Sequence, residues 1–426
     1  MEIFLGYKPG YKKWSHWSRS IKCMTCNRVC VNSKGTSLNG TNASDNALNT
    51  SQDLMRPATP DLLPISEVEW QPLIPLIVKA NRSLAFFNGV LRGIPNPDLL
   101  LSPMTTHEAV LSSKLEGTQA TLGEVLKYEA GEEPVEESKK QDIGEIINYR
   151  AALARAIEVL GKKPFHLNLL LELHSILLNS VRGRTKDPGR FRTTQNWIGP
   201  PGSTIDDAYF VPPEHTLLPK YLDNFEKYYH EETLDSLVQL AIIHAQFEIL
   251  HPFCDGNGRL GRMLVPLFLY EKNILTRPMF YISEYLESNR DMYVNYLRPL
   301  GKVPMAWNAW IGFFLNAIDI QAQKNATKAE NIMHLYDDLK LKVLDITHSQ
   351  YAIPLLDFIF NKPIFQARHL KNLSNMPSYP MISNMLKALR DAGILVLLKE
   401  GRGRIGNVFA LPALVNVCEG RDVILT

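Results

Sequence analysis

Between Ile65 and about His348, apolar residues return at intervals of three and four, a rhythm suited to helices that bury one face. Leu73, Ile74, Ile77, Leu84 and Phe87 mark one such stripe. Met104 to Leu115 forms the next helical segment, with Glu116-Gly117-Thr118 as its stop signal. Glu136 to Leu160 follows, acidic at its start and carrying Ile143, Ile146, Ile147 and Leu153. Leu167 to Leu178, Leu218 to Tyr229, Leu234 to Leu250 and Arg259 to Lys272 continue the pattern. Two stretches break it. From Arg182 to Pro213, Gly, Pro and polar residues surround Ala208-Tyr209-Phe210-Val211, which reads as a long loop with hairpin character. The second break, His251 to Gly258, is short and rich in chemistry. The expected fold is mostly α.

A length of 426 residues calls for more than one domain. Asn39 to Ser51 is almost entirely small and polar, so residues 1–54 read as a disordered leader. Within it Cys23, Cys26 and Cys30 have metal-like spacing, and His16 could be a fourth ligand. No second Cys pair supports zinc, so these are read as plain thiols. Residues 55–135 form an N-terminal helical region, 136–348 a core and 349–426 a C-terminal domain. In that last part Leu355–Phe360, Ala367–Leu373 and Tyr379–Ala392 read as helices, followed by β-like runs at Ile394–Lys399 and Asn407–Leu411. Three helices followed by strand, turn and strand is the order of a winged helix-turn-helix. Lys362 to Arg404 holds eight Lys/Arg against two Asp/Glu, with Arg402 and Arg404 at the wing tip. That balance suits DNA phosphates, with a protein partner as the alternative.

Bulk properties exclude little else. A net charge of +2 gives no general attraction to nucleic acid or membrane. No apolar run approaches 18 residues, and the first residues lack signal-peptide order, so no membrane association is expected. Five cysteines without a dense framework point to the cytoplasm.

The stretch His251-Pro252-Phe253-Cys254-Asp255-Gly256-Asn257-Gly258-Arg259-Leu260-Gly261-Arg262 concentrates the chemistry. Gly256 and Gly258 allow close approach of backbone N–H groups to a ligand. The helix expected to start near Arg259 offers free amides and a favourable dipole to an anion. Arg259 and Arg262, three apart, would share one face, and guanidinium suits phosphate oxygens. Asp255 can hold Mg²⁺, which in nucleotide sites takes one carboxylate together with phosphates and waters. His251 titrates in the range of a general base.

This stretch resembles the signature of the Fic family at every position, and with its flanking helices the resemblance covers roughly Ile65 to Asn316. The resemblance implies a Fic-fold helical core with a β-hairpin flap, and transfer of AMP from ATP to a Ser, Thr or Tyr hydroxyl of a target protein, self-modification included. It implies His251 as the base, Asp255 as the Mg²⁺ ligand, and Gly256, Asn257 and Gly258 as the α-phosphate cradle. Leu260 and Gly261 complete the ATP-binding run, in which Arg259 and Arg262 hold the outer phosphates. Ser112-Ser113-Lys114-Leu115-Glu116-Gly117 resembles the family's inhibitory motif, in which the Glu pairs with the last Arg of the signature and displaces the γ-phosphate. Ser112, Glu116, Gly117 and Arg262 would then form an autoinhibitory set. Pro188 to Gly199 resembles the run leading into the flap. Asn289 to Tyr293 resembles a segment of the adenine pocket, although Val294 stands where the family often has a second tyrosine. Gly258 argues against the phosphorylating relatives, which carry Lys at that position. Other nucleotides, AMP removal and a DNA-binding regulator that only senses nucleotide remain as alternatives, and a homodimer stays open. His244, among Ile242, Ile243 and Phe247, reads as a hydrogen-bonded structural histidine; Cys254 carries no assigned chemistry; Trp307 and Trp310 read as packing residues.

Overall fold

The computed structural model describes residues 56–179, 185–200, 202–300, 306–371, 375–401 and 406–424. The expected leader, with Cys23, Cys26 and Cys30, lies outside the described residues, as do Arg402 and Arg404. Helix α1 (Trp70–Gly93) buries Leu73, Ala80, Leu84, Phe87 and Leu91, a 7-4-3-4 spacing that makes one stripe. Ile74 does not join them: one residue beyond Leu73 it turns about 100° away and is 53% exposed. The stripe lies along α12 (Ala306–Thr347), the 42-residue helix on the far side of the chain. Ser83 Oγ donates to Asp319, and the backbone of Glu69 is clamped by the Asn308 amide at 2.9 and 2.7 Å.

Short α2 (Pro97–Leu100) leads into α3 (Ser102–Leu115), which ends at Glu116. Next comes α4 (Leu122–Glu129), too short for periodicity to reveal. Its start is nevertheless written in the sequence as a capping box: Thr121 Oγ1 accepts from the Glu124 amide while Glu124 accepts from the Thr121 amide at 2.8 Å. Helices α5 (Glu137–Leu160) and α6 (Leu167–Leu177) pair with each other, and α7 (Leu218–His230) packs on α8 (Ser236–Leu250). Helix α8 is buried on nearly every face, which its uniformly apolar sequence requires. Its start is fixed by Asp235, which accepts from the amides of Leu237 and Val238. Helix α9 (Asn257–Glu271) begins two residues before the predicted Arg259. Two short helices, α10 (Ser283–Ser288) and α11 (Arg290–Leu297), precede α12.

The expected hairpin over residues 182–213 amounts to one antiparallel bridge, Ile198 to Phe210, among the described residues. Pro200, Pro212 and Pro213 offer no N–H beyond that bridge, which stops a ladder.

After α12 the order is α13 (Ala352–Asn361), β1 (Ile364–Gln366), α14 (Ala367–Lys371), α15 (Tyr379–Asp391), β2 (Val396–Lys399), β3 (Val408–Ala410) and α16 (Pro412–Glu419). The strands form an antiparallel sheet in the order β1-β3-β2, with Phe365 and Leu397 both opposite Phe409. Strand β1 and helix α16 were not expected from sequence; three residues are too few for an alternating pattern to register. This unit packs on the N-terminal region. Helix α16 meets α3 and α12, Lys399 pairs with Glu132 at 3.5 Å, and buried Gln366 donates through Nε2 to the Ala130 carbonyl at 2.7 Å. Gln366→Leu strands that carbonyl and should cost about 1–3 kcal/mol; denaturant unfolding with a midpoint equal to wild type would contradict this.

Candidate active site

Helix α8 ends at Leu250, and His251 adopts a left-handed backbone (φ 44°), sparsely populated by residues other than glycine. The chain turns again at Gly256 (φ 80°) and enters α9. Four side chains hold this turn by its backbone. Arg192 donates through Nε to the His251 carbonyl at 3.0 Å and through Nη2 to that of Pro213. Asn196 Nδ2 reaches the carbonyls of His251 (3.3 Å) and Phe253 (3.1 Å). Asn257 accepts from the Phe253 amide at 2.9 Å and donates to its carbonyl at 2.8 Å. His174 Nε2 lies 3.0 Å from the Asp255 carbonyl, its Nδ1 accepts from the Gly189 amide at 2.9 Å, and its ring stacks on Phe253. The side chain of Asn257 is thus committed to the turn, leaving its backbone for a ligand.

His251 Nδ1 sits 3.4 Å from the Glu248 carbonyl. A carbonyl only accepts, so Nδ1 carries the hydrogen and Nε2 presents a lone pair. Burial lowers this imidazole to about 4, so it is neutral near pH 7 and able to take a proton. His251, Glu116, Gly258, Arg262, Tyr293 and Phe210 are among the residues lining a cavity of about 170 Å³.

Arg262 is 2% exposed. Its Nε donates to Ser112 Oγ at 2.9 Å, and its Nη2 donates to the Ser112 carbonyl at 2.8 Å and to Glu116 Oε1 at 2.7 Å. The pairing of Glu116 with Arg262 that the resemblance implied is therefore present. Burial pushes the Glu116 carboxyl up, but the charge and hydrogen bond of Arg262, with the charge of Arg259, hold it below the usual carboxylate range. Gly117, in a left-handed conformation (φ 100°), ends the segment. A Cβ on Gly258 would collide with Glu116 Oε1 and stand 2.8 Å from Arg262 Nη1, so only glycine lets an anion approach there.

The two arginines do not share a partner. Arg259 bonds Glu145 at 2.9 Å and Asp255 at 3.4 Å, and is absent from the cavity lining. Asp255 Oδ1 also accepts from the Gly256 amide at 2.6 Å. Leu260 is buried in the core, and Gly261 packs against Glu248 while its carbonyl meets His244 Nδ1. Tyr293 lines the cavity and bonds His244 through its hydroxyl. His244 is buried and hydrogen-bonded on both nitrogens, and Trp307 and Trp310 are buried. Sequence reasoning missed Glu145, His174, Arg192, Asn196 and Glu248. Arg192 and Asn196 lie inside the run already noted before the flap, and His174 is conspicuous in the Leu-rich α6.

Residues 74–158 match the Fic/DOC family N-terminal model, and residues 164–269 match the Fic/DOC family model. Together these two matches take in less than half of the chain. It is similar to a probable protein adenylyltransferase of Aquifex aeolicus, 34% identical over 203 residues, which is 46% of this chain and 55% of that one. It is also similar to the protein adenylyltransferase fic-1 of Caenorhabditis elegans, 25% identical over 201 residues, 43% of this chain and 37% of that one. The match spans about half or less of these relatives. The crystal structure of a Fic family protein from Desulfovibrio desulfuricans G20 shares the fold, with a TM-score of 0.52 at 17% identity, covering 82% of this chain and 98% of that one. The matched residues include both the Glu116 segment and the His251 turn. No described helix is long and apolar enough to cross a membrane.

Burial in and around the matched residues sets a pH response. It lowers His107, His174 and His251 to about 4 and His244 to about 3, and raises Glu108 and Glu248 to about 7. Between pH 4 and 6.5 the unfolded chain binds protons at the four histidines that the native state refuses. Between pH 4.5 and 7 the native state holds protons on the two carboxyls that the unfolded chain releases. The histidines outnumber the carboxyls, so unfolding near pH 5.5 takes up about two protons, and stability falls on acidification by about 2–3 kcal/mol per pH unit. Urea unfolding between pH 7 and 5 checks this, and a flat or rising stability as pH falls would contradict it.

Proposed function

We propose that this chain is a protein adenylyltransferase that moves AMP from ATP to a protein hydroxyl and holds itself off through Glu116. One juxtaposition supports the reading: a neutral His251, with its lone pair on Nε2, shares a cavity with a buried guanidinium whose anion seat holds a carboxylate. A triphosphate seated over Gly258 would meet the first amides of α9, which have no partner within the helix, and the Arg262 fork. His251 Nε2 takes the proton of the target hydroxyl. Its oxygen bonds the α-phosphorus, the bond from that phosphorus to the bridging oxygen breaks, and pyrophosphate leaves. Catalysis of this kind is mostly positioning and charge stabilisation. Among the described residues no cluster of three His, Cys, Asp or Glu could hold a metal alone. That fits Mg²⁺ held by Asp255 and mainly by phosphates and waters, where it would neutralise phosphate charge.

The same carboxylate accounts for restraint. Glu116 and a γ-phosphate compete for one fork, so Glu116→Gly should raise AMP incorporation about tenfold or more. This needs only about 1.4 kcal/mol of bias between the two states. His251→Ala should lower transfer by about two to four orders of magnitude while ATP still binds. Labelling with α-labelled and γ-labelled ATP in parallel decides the reaction. Protein-bound α label supports adenylyl transfer, and protein-bound γ label would replace it with phosphorylation. A folded Glu116→Gly no more active than wild type would remove the self-inhibition.

The order helix, strand, helix, helix, strand, strand after residue 349 supports reading the C-terminal unit as a winged helix that selects partners, with DNA as the partner chemistry. The outward face of α15 carries exposed Ser383, Asn384 and Lys387, groups suited to phosphate and base edges. Lys387→Ala should lower the log-log salt slope of duplex binding by about one. No retardation of any duplex at low salt would point to a protein partner instead.

A further inference from the structure

Next to Arg262, three buried groups form a continuous chain. His244 Nδ1 lies 3.0 Å from the Gly261 carbonyl, and His244 Nε2 lies 2.9 Å from Tyr293 Oη. The carbonyl can only accept, so Nδ1 carries the hydrogen. A neutral imidazole has one N–H, which makes Nε2 an acceptor and obliges the Tyr293 hydroxyl to donate to it. Burial keeps the imidazole neutral and the phenol protonated. With its hydrogen used, Tyr293 Oη is left with lone pairs for a donor. Arg262, adjacent in sequence to Gly261, lines the same cavity as Tyr293, close enough for the guanidinium charge to bear on the phenol. Trp310 and Phe314 stack on the His244 ring, with centroids 6.0 and 5.2 Å away, and fix its plane.

Arg262's other bonds all come from one segment. Ser112 Oγ, the Ser112 carbonyl and Glu116 Oε1 belong to α3 and its end. Withdrawal of that segment to admit a triphosphate would loosen all three contacts together. We propose that His244 and Tyr293 are positioning residues that hold the Arg262 fork in place for the outer phosphates of ATP once Glu116 is gone. This rests on the adenylyltransferase reading. It also gives Tyr293 a role through its hydroxyl in addition to the wall its ring provides.

The test uses the full chain carrying Glu116→Gly, so that the fork is open. Into it go Tyr293→Phe, which keeps the ring, and His244→Asn, which keeps a donor for the Gly261 carbonyl, singly and together. ATP and AMP binding are measured by calorimetry, and α-label incorporation gives KM and kcat. Each single change should weaken ATP binding and raise its KM about tenfold while AMP binding is unchanged, because AMP lacks the outer phosphates. The pair should be no worse than either alone, since each breaks the same chain. Unchanged ATP affinity, or ATP and AMP weakened equally as in a merely loosened core, would overturn the proposal. If His244→Asn does not fold, Tyr293→Phe alone decides. If Glu116→Gly incorporates no α label, adenylyl transfer fails, yet the ATP-to-AMP binding contrast still judges the positioning role.

Discussion

A guanidinium stripped of water must be given an anion, and the arrangement around Arg262 follows from that requirement. An isolated charge in a low-dielectric interior costs several kcal/mol even after relaxation. Here the compensation comes from a carboxylate, a hydroxyl and a carbonyl at the end of one helix. The seat over Gly258 therefore cannot be left empty cheaply. In the proposed reading, occupancy by Glu116 and occupancy by a nucleotide phosphate satisfy the same electrostatic demand, so inhibition and substrate binding are one equilibrium with two anions.

The turn bearing His251 illustrates a second economy. Its strained backbone is supported by side chains that reach carbonyls and amides rather than a ligand: Arg192, Asn196, Asn257 and His174 each act on main-chain atoms. A reactive group can be held within a fraction of an ångström only if its supports are themselves fixed, and Arg192, Asn257 and His174 are buried. Arg259 belongs to the same framework, tying the first turn of α9 to Glu145 on α5.

What the sequence discloses depends on the range of the interaction. The long helices follow from the spacing of apolar residues, because that periodicity reports which face is buried. Helix α4, strand β1 and helix α16 are too short for any period to accumulate, and α4 declares itself only through its Thr121–Glu124 cap. Ile74 shows the limit from the other side: an apolar residue inside a helical stretch need not lie on the stripe. At the site, residue types within 251–262 indicated phosphate chemistry, and resemblance paired Glu116 with Arg262. Neither could show that Arg259 answers to Glu145, 114 positions away, or that the Asn257 side chain serves the turn. Partners brought together by tertiary packing leave no local mark.

The pairing of α1 with α12 has a consequence for how such a chain is made. The stripe of Leu73, Ala80, Leu84, Phe87 and Leu91 is covered by a helix that starts more than 200 residues later. A ribosome adding about 5–20 residues per second needs roughly ten to fifty seconds to travel from one to the other. Throughout that interval the greasy side of the first helix is in the nascent chain without its lid. Contacts of such high sequence separation also slow closure once both halves exist. The first helix of this protein therefore stays uncovered during synthesis until the part of α12 that carries Asn308 and Asp319 has emerged.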